Sequence, residues 1–195
     1  MASSTSPTSS TRVDRGRAYP TTATPPKLPA FLMGVGLGGF VDGIILHEIL
    51  QWHHMLSDER DFPTDTLQGL EGNVVADGFF HVGTWVFVFV GMLVTLNAWQ
   101  RRKLAPPWRS HFGMLLVGWG VFNLVEGVID HQILGIHHVR DDLGGPLSWD
   151  IGFLVFGALL VLVGLALSRS GESVVARRQA SSTTAPPDQV ARGTG

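Results

Sequence analysis

A chain of 195 residues with 45% hydrophobic side chains and a formal charge of −2 has the totals of a small soluble domain, but they average over unlike segments. It contains no cysteine, which excludes disulfides and thiolate chemistry and leaves nitrogen and oxygen as the atoms that would hold any ligand.

Residues 1–28 are rich in Ser, Thr and Pro with scattered Arg, and too poor in apolar side chains to offset the entropy of ordering. They are expected to form a disordered cytoplasmic tail. Four apolar runs follow, at about 30–51, 78–99, 112–134 and 149–168, each near the roughly 20 residues that cross a bilayer as a helix. The stretches from Val82 to Ala98 and from Ile151 to Leu167 contain no charge. The first run starts too late and is too long for a cleaved signal peptide. Residues 169–195 resemble the N-terminal segment and are expected to form a second disordered cytoplasmic tail. The fold class that follows is all-α: an integral membrane four-helix bundle over residues 29–168.

Twelve of the 14 basic residues fall at the two tails or between the second and third runs, Arg101, Arg102, Lys103 and Arg109 among them. Only Arg60 and Arg140 lie on the other side. The positive-inside rule therefore places both termini in the cytoplasm. The loops at about 52–77 and 135–148 face outward and are acidic, with Asp58, Glu59, Asp61, Asp65, Glu71, Asp141 and Asp142. This distribution of basic residues is that of membrane topology, not of nucleic-acid binding.

Residues 36–54 and 120–138 align without a gap at an offset of 84, with nine identities in 19 positions. The identities include His47/His131, His53/His137 and His54/His138, and Asp42 faces Glu126. Apolar residues alone repeat by composition, whereas a carboxylate-x4-His-x5-His-His pattern does not. A shorter match at an offset of 69 pairs the second and fourth runs and sets His81 opposite Asp150. Together they predict two parallel two-helix repeats, 30–99 and 112–168, about an axis along the membrane normal.

On an ideal helix the repeated polar residues and glycines share an arc of about 140° and look into the bundle, away from lipid. Depth along the axis then describes a funnel. Asp42 and Glu126 form its floor, His47, His131, His81 and Asp150 its waist, and the His53–His54 and His137–His138 pairs its outer mouth. Charged groups inside a bilayer are costly and usually functional.

Converging imidazoles and carboxylates suit a transition metal ion, Fe, Cu, Zn or Mn, with carboxylates favouring Fe, Mn or Zn. The expected ligands are His47, His54, His131 and His138, with His81 and Asp150 from the other helices. Asp42 and Glu126 are deeper ligands or proton acceptors, and His53 and His137 capture metal at the mouth. Asp77, four residues before His81, is placed to orient that imidazole. Three alternatives stay open: haem held between His47 and His131, a proton pathway, and a structural polar core.

The segment GGFVDGIILHEILQWHHML, with the later DGFFHVGTW and VEGVIDHQILGIHHV, resembles the bacterial membrane proteins of the domain of unknown function 2243 family. The resemblance implies a four-helix inner-membrane protein without an established activity. It also implies a respiratory or metal-handling role, with respiratory-chain or oxidase assembly proteins as partners.

Overall fold

Proline and threonine mark where the helices begin. The computed structural model describes residues 26–101 and 107–183. Pro29 opens α1 (Leu28–Val41), which continues without a break as a π-helical segment, Asp42–Ile49. Thr66 caps α2 (Leu67–Gln100) by accepting from the Gly69 amide at 3.1 Å. Pro107 precedes α3 (Trp108–Glu126), and a second π-helical segment, Gly127–Leu134, extends it. A 3-10 turn (Asp141–Leu143) and Pro146 lead into α4 (Leu147–Thr183). There is no strand among the described residues.

All four helices are long and apolar enough to cross a membrane, over Leu28–Ile49, Leu67–Gln100, Trp108–Leu134 and Leu147–Val174. Two boundaries differ from the sequence expectation. Helix α2 starts well before residue 78, because its polar first turns are tied to the loop ahead of it. Asn73 accepts from the Leu56 amide and donates to the Phe62 carbonyl, both at 2.9 Å. Helix α4 runs on past residue 168 to Thr183, and Glu172 on it pairs with Lys27 at 2.6 Å. The expected tails otherwise lie outside the described residues, as do Arg102 and Lys103.

Helices α1 and α3 form the central pair, with α2 packed on α1 and α4 on α3. Among the described residues the backbones of α1 and α4 stay apart, as do those of α2 and α3, although the Phe80 and Phe122 rings meet across the latter gap at 6.0 Å. Glycine lets the central pair close. A Cβ on Gly34 would run into the Leu115 backbone, and one on Gly118 into the Phe31 backbone.

The distribution of polarity is inverted relative to a water-soluble domain. Large apolar side chains such as Phe79, Leu162 and Trp99 face outward, while the buried apolar set among the described residues is only Ala30, Val117 and Val139. Asp, His, Asn and Glu fill the interior instead. Such an interior needs internal partners for every polar group, since hydrocarbon supplies none.

Candidate metal centre

The π-helical segments set the geometry. A π-helix bonds i to i+5, so residues five apart share a face, whereas an α-helix would part them by about 140°. Asp42 and His47 are five apart, as are Glu126 and His131. His47 Nε2 accordingly lies 3.0 Å from Asp42 Oδ2, and His131 Nε2 lies 3.8 Å from Glu126 Oε1.

Each segment then ends in a left-handed residue, Gln51 with φ 50° and Gly135 with φ 60°. The turn sends the following His-His pair back toward the acids. His53 Nε2 comes within 4.0 Å of Asp42, and His137 Nε2 within 3.5 Å of Glu126. The expected funnel is therefore wrong in its depth. His53 and His137 do not stand at an outer mouth; they lie beside the acids, because the chain leaves the helix before reaching them.

Second nitrogens fix the orientation of every ring here but that of His131. His47 donates from Nδ1 to Asp77 Oδ1 at 2.8 Å, and His54 donates from Nδ1 to Asp77 Oδ2 at 2.7 Å. His138 donates from Nδ1 to Asp150 Oδ2 at 2.7 Å, and His131 Nδ1 lies 3.6 Å from Asp150 Oδ1. The Met55 amide donates to Asp77 and the Val139 amide to Asp150. His53 donates from Nδ1 to the Val139 carbonyl at 3.1 Å, and His137 to the Met55 carbonyl at 3.2 Å.

Those bonds decide what faces the middle. A carbonyl only accepts, so Nδ1 of His53 and His137 carries the proton and Nε2 presents a lone pair. Burial and neighbouring imidazoles hold the His137 pKa down at about 4 and that of His53 well below the usual value, so both are neutral at pH 7. Nε2 of His47, His53, His131 and His137 and the carboxylate oxygens of Asp42 and Glu126 are all buried without a hydrogen-bond partner. His47 Nε2 and Asp42 Oδ2 are 3.0 Å apart, an ion pair when the imidazole carries both protons. Lone pairs of His53 and His137 thus converge on two carboxylates, with the Nε2 atoms of His47 and His131 beside them.

Three overlapping triads have donor atoms all within 4.8 Å of one another: His47–His53–His137, Glu126–His131–His137 and Asp42–His53–Glu126. Ligands on one ion at about 2.1 Å lie at most about 4.2 Å apart, so small inward shifts complete each triad. Of the ten residues expected at the site, six meet here: Asp42, His47, His53, Glu126, His131 and His137. His54, His138 and Asp150 stand behind them. His81 belongs to none of the triads; its Nε2 is buried where a Cβ on Gly43 would fall.

The chain from residue 29 to 171 matches the model of a family described as Predicted membrane protein (DUF2243). It belongs to that family. The protein is thus a multi-pass membrane protein whose helices contact the lipid bilayer. No curated protein and no solved structure matches the chain.

Asp77 is the residue whose place the sequence pairing missed. Contacts follow an offset of 73 between α2 and α4, not 69. Asp77 and Asp150 hold corresponding imidazoles, Phe80 and Phe153 lie 5.5 and 5.4 Å from the rings of His47 and His131, and Gly91 and Gly164 meet residues 29 and 33 and residues 113 and 117. The two offsets differ by four residues, one helical turn, and a slide of one turn keeps the same face. The Asp/Asp, Phe/Phe and Gly/Gly identities were the available signal.

Proposed function

We propose that this protein carries a resident transition-metal centre held by His47, His53, His131 and His137 with Asp42 and Glu126, as one ion or a closely spaced pair. The observation that carries this reading is the buried convergence of four imidazole Nε2 atoms and two carboxylates, with the lone pairs of His53 and His137 turned toward them. Lone pairs brought together away from water repel unless a cation lies between them. Nitrogen and oxygen donors in this mixture suit Fe, Mn or Zn, and Cu in its divalent state. His54, His138, Asp77 and Asp150 are assigned to orientation: they hold the rings of the ligands or the loops that carry them.

Burial favours a resident centre over an exchange site. His47 and His137 are 0% exposed and His53 and His131 2%. A metal-handling protein that passes ions to an oxidase assembly partner would need ligands nearer the surface. Haem between His47 and His131 does not fit. His53 lies 4.5 Å from His47, and His137 lies 4.9 Å from His131, in the space a porphyrin would take.

The arrangement also supports two parallel helix-pair repeats with the centre on their shared axis. Ser57 and Asp141 accept from the amides of His54 and His138, and the Asp58 and Asp142 amides donate to the carbonyls of Ile136 and Trp52, so the correspondence at 84 reaches beyond the histidines. Both termini are assigned to the cytoplasm of a bacterial inner membrane, with the centre near the periplasmic face.

Elemental analysis of untagged protein tests the centre. Stoichiometric Fe, Mn, Zn or Cu that disappears in a His53→Ala/His137→Ala double variant supports it. Folded protein free of metal, even after reconstitution with each ion, overturns it in favour of a proton pathway or a polar core. A cysteine introduced at Asp61 should react with an impermeant reagent from outside, and one at Lys103 should not; the reverse pattern overturns the orientation.

A further inference from the structure

Between the loops that follow the two π-helical segments lies a polar cavity of about 520 Å³. His54, Asp58, His138, Asp141 and Asp142 are in its lining. Asp58, Thr64 and Asp142 are exposed at its rim, outside the spanning helices, so it opens to water and not to lipid. Of the six residues of the proposed centre, His53 alone lines it. The pocket therefore reaches the centre at that ring.

His54 and His138 are both held from behind. Nδ1 of His54 donates to Asp77 and Nδ1 of His138 to Asp150, each at 2.7 Å. Nε2 is then the remaining nitrogen of each ring, and in the neutral imidazole it is an acceptor. His54 is only 7% exposed, yet its Nε2 has no partner among the described residues. Unlike the Nε2 atoms of the centre, it is not shut off from solvent, and the space it meets is this pocket.

The acids around these nitrogens are not equivalent. Asp58 and Asp142 correspond at the offset of 84. Arg140 holds Asp142 through Nε and Nη2 at 2.7 and 2.8 Å. The counterpart of Arg140 in the first loop is Leu56, so Asp58 gains no such partner. Its Oδ2 lies instead 3.9 Å from His138 Nε2. Two ligands on one ion at about 2.1 Å lie at most about 4.2 Å apart, so this pair can span a single ion. Asp141 accepts from the Ser57 hydroxyl and the His138 amide, and so fixes His138 at the pocket wall.

We infer that this pocket binds a hydrated divalent transition-metal ion on His138 and Asp58, with His54 next on the path, and admits it to the centre past His53. The inference rests on the metal-centre reading, because a centre so deeply buried needs a way in. Imidazole nitrogen separates such an ion from Mg²⁺ and Ca²⁺, which take oxygen ligands. Two protein ligands leave the other positions to water. That suits an ion in transit and not one stored for a partner.

Co²⁺ gains visible absorption in a site of nitrogen and oxygen ligands, so filling of the centre can be followed by stopped flow. Protein stripped with a chelator in detergent is mixed with Co²⁺ in about 0.5 M KCl, where charge acts over only a few ångströms. Asp58→Asn should slow filling by about tenfold or more. Emptying into a chelator should slow by the same factor, so affinity at equilibrium does not change. Asp58→Glu should restore most of the rate. His138→Asn keeps a donor for Asp150 and should also slow filling; joined to Asp58→Asn it should add little, since both hold one ion. Normal Co²⁺ uptake with unchanged filling in Asp58→Asn rejects this inference alone. Slower filling with unchanged emptying also overturns it, and makes Asp58 a support of the centre itself. Weak Co²⁺ binding that survives His53→Ala/His137→Ala but not Asp58→Asn rejects the centre and supports the pocket site. No Co²⁺ binding at all overturns both.

Discussion

His53 and His137 lie face to face, with ring centroids 4.8 Å apart and planes within 5°. Each donates its Nδ1 proton to a carbonyl two residues beyond the other, Val139 for His53 and Met55 for His137. The loops that follow the two π-helical segments are thereby cross-linked through the rings whose Nε2 atoms face Asp42 and Glu126. Loop geometry and donor geometry are one structure, so a change to either loop should register at the centre.

Asp77 gives the most direct test of that coupling. Its two oxygens hold His47 and His54 and also accept from the Met55 amide. Asp77→Asn retains the shape but replaces one acceptor with a donor that opposes an imidazole N–H. Metal affinity should fall about 10–100-fold, measured by competition with a chelator, while helical content by circular dichroism stays unchanged.

The metal-free protein should lose stability in acid over a defined window. The folded-state pKa of His137 is depressed to about 4 from an ordinary 6.5, so below 6.5 the unfolded chain binds a proton that the folded chain refuses. Stability is therefore full above pH 6.5 and declines as pH falls toward 4. His53, depressed further, extends the decline to lower pH. Thermal unfolding of chelated protein in detergent at stepped pH should show this slope. His137→Asn should flatten it, and bound metal should shift the loss to lower pH.

Gln51 is the only described non-glycine residue with positive φ, at 50°, and its counterpart is Gly135. A side chain in that region costs about 1–2 kcal/mol, partly offset by the greater freedom of an unfolded glycine. Gln51→Gly should be neutral or stabilise by up to about 1 kcal/mol. Gly135→Gln should destabilise by a similar amount, read as opposite shifts in Tm.

Helix crossing makes a contrasting pair of glycine predictions. Gly34→Leu forces atoms into the Leu115 backbone and should cost about 3 kcal/mol or more, lowering the yield of folded protein. Gly78→Ala, where a Cβ meets nothing within 4 Å, should be neutral or slightly stabilising. Size-exclusion behaviour and Tm in detergent separate the two.

The spans and the doubled acid–histidine pattern were legible in the residues alone. Hydropathy is a sum over neighbours in the chain, and a repeat is a comparison of letters; neither needs contacts. The six residues of the proposed centre could be named from the pattern for the same reason. Their roles could not be assigned, because an α-helical wheel puts His47 about 140° from Asp42 while the π-helical turn puts them on one face. The local sequence Asp42–Ile49 carries no proline or other mark of that widening.

Tertiary structure also decided which histidine of each pair turns inward and which carboxylate stands behind it. His53 and His54 are neighbours of identical chemistry, and only the left-handed turn at Gln51 and the Val139 carbonyl across the axis distinguish them. Asp77 and His81 lie one turn apart on the same face of α2, so periodicity cannot separate them; the positions of His47 and His54 do. A sequence specifies which groups must leave lipid, because that cost is paid residue by residue. Which atom meets which depends on several helices closing at once, and no single segment contains that information.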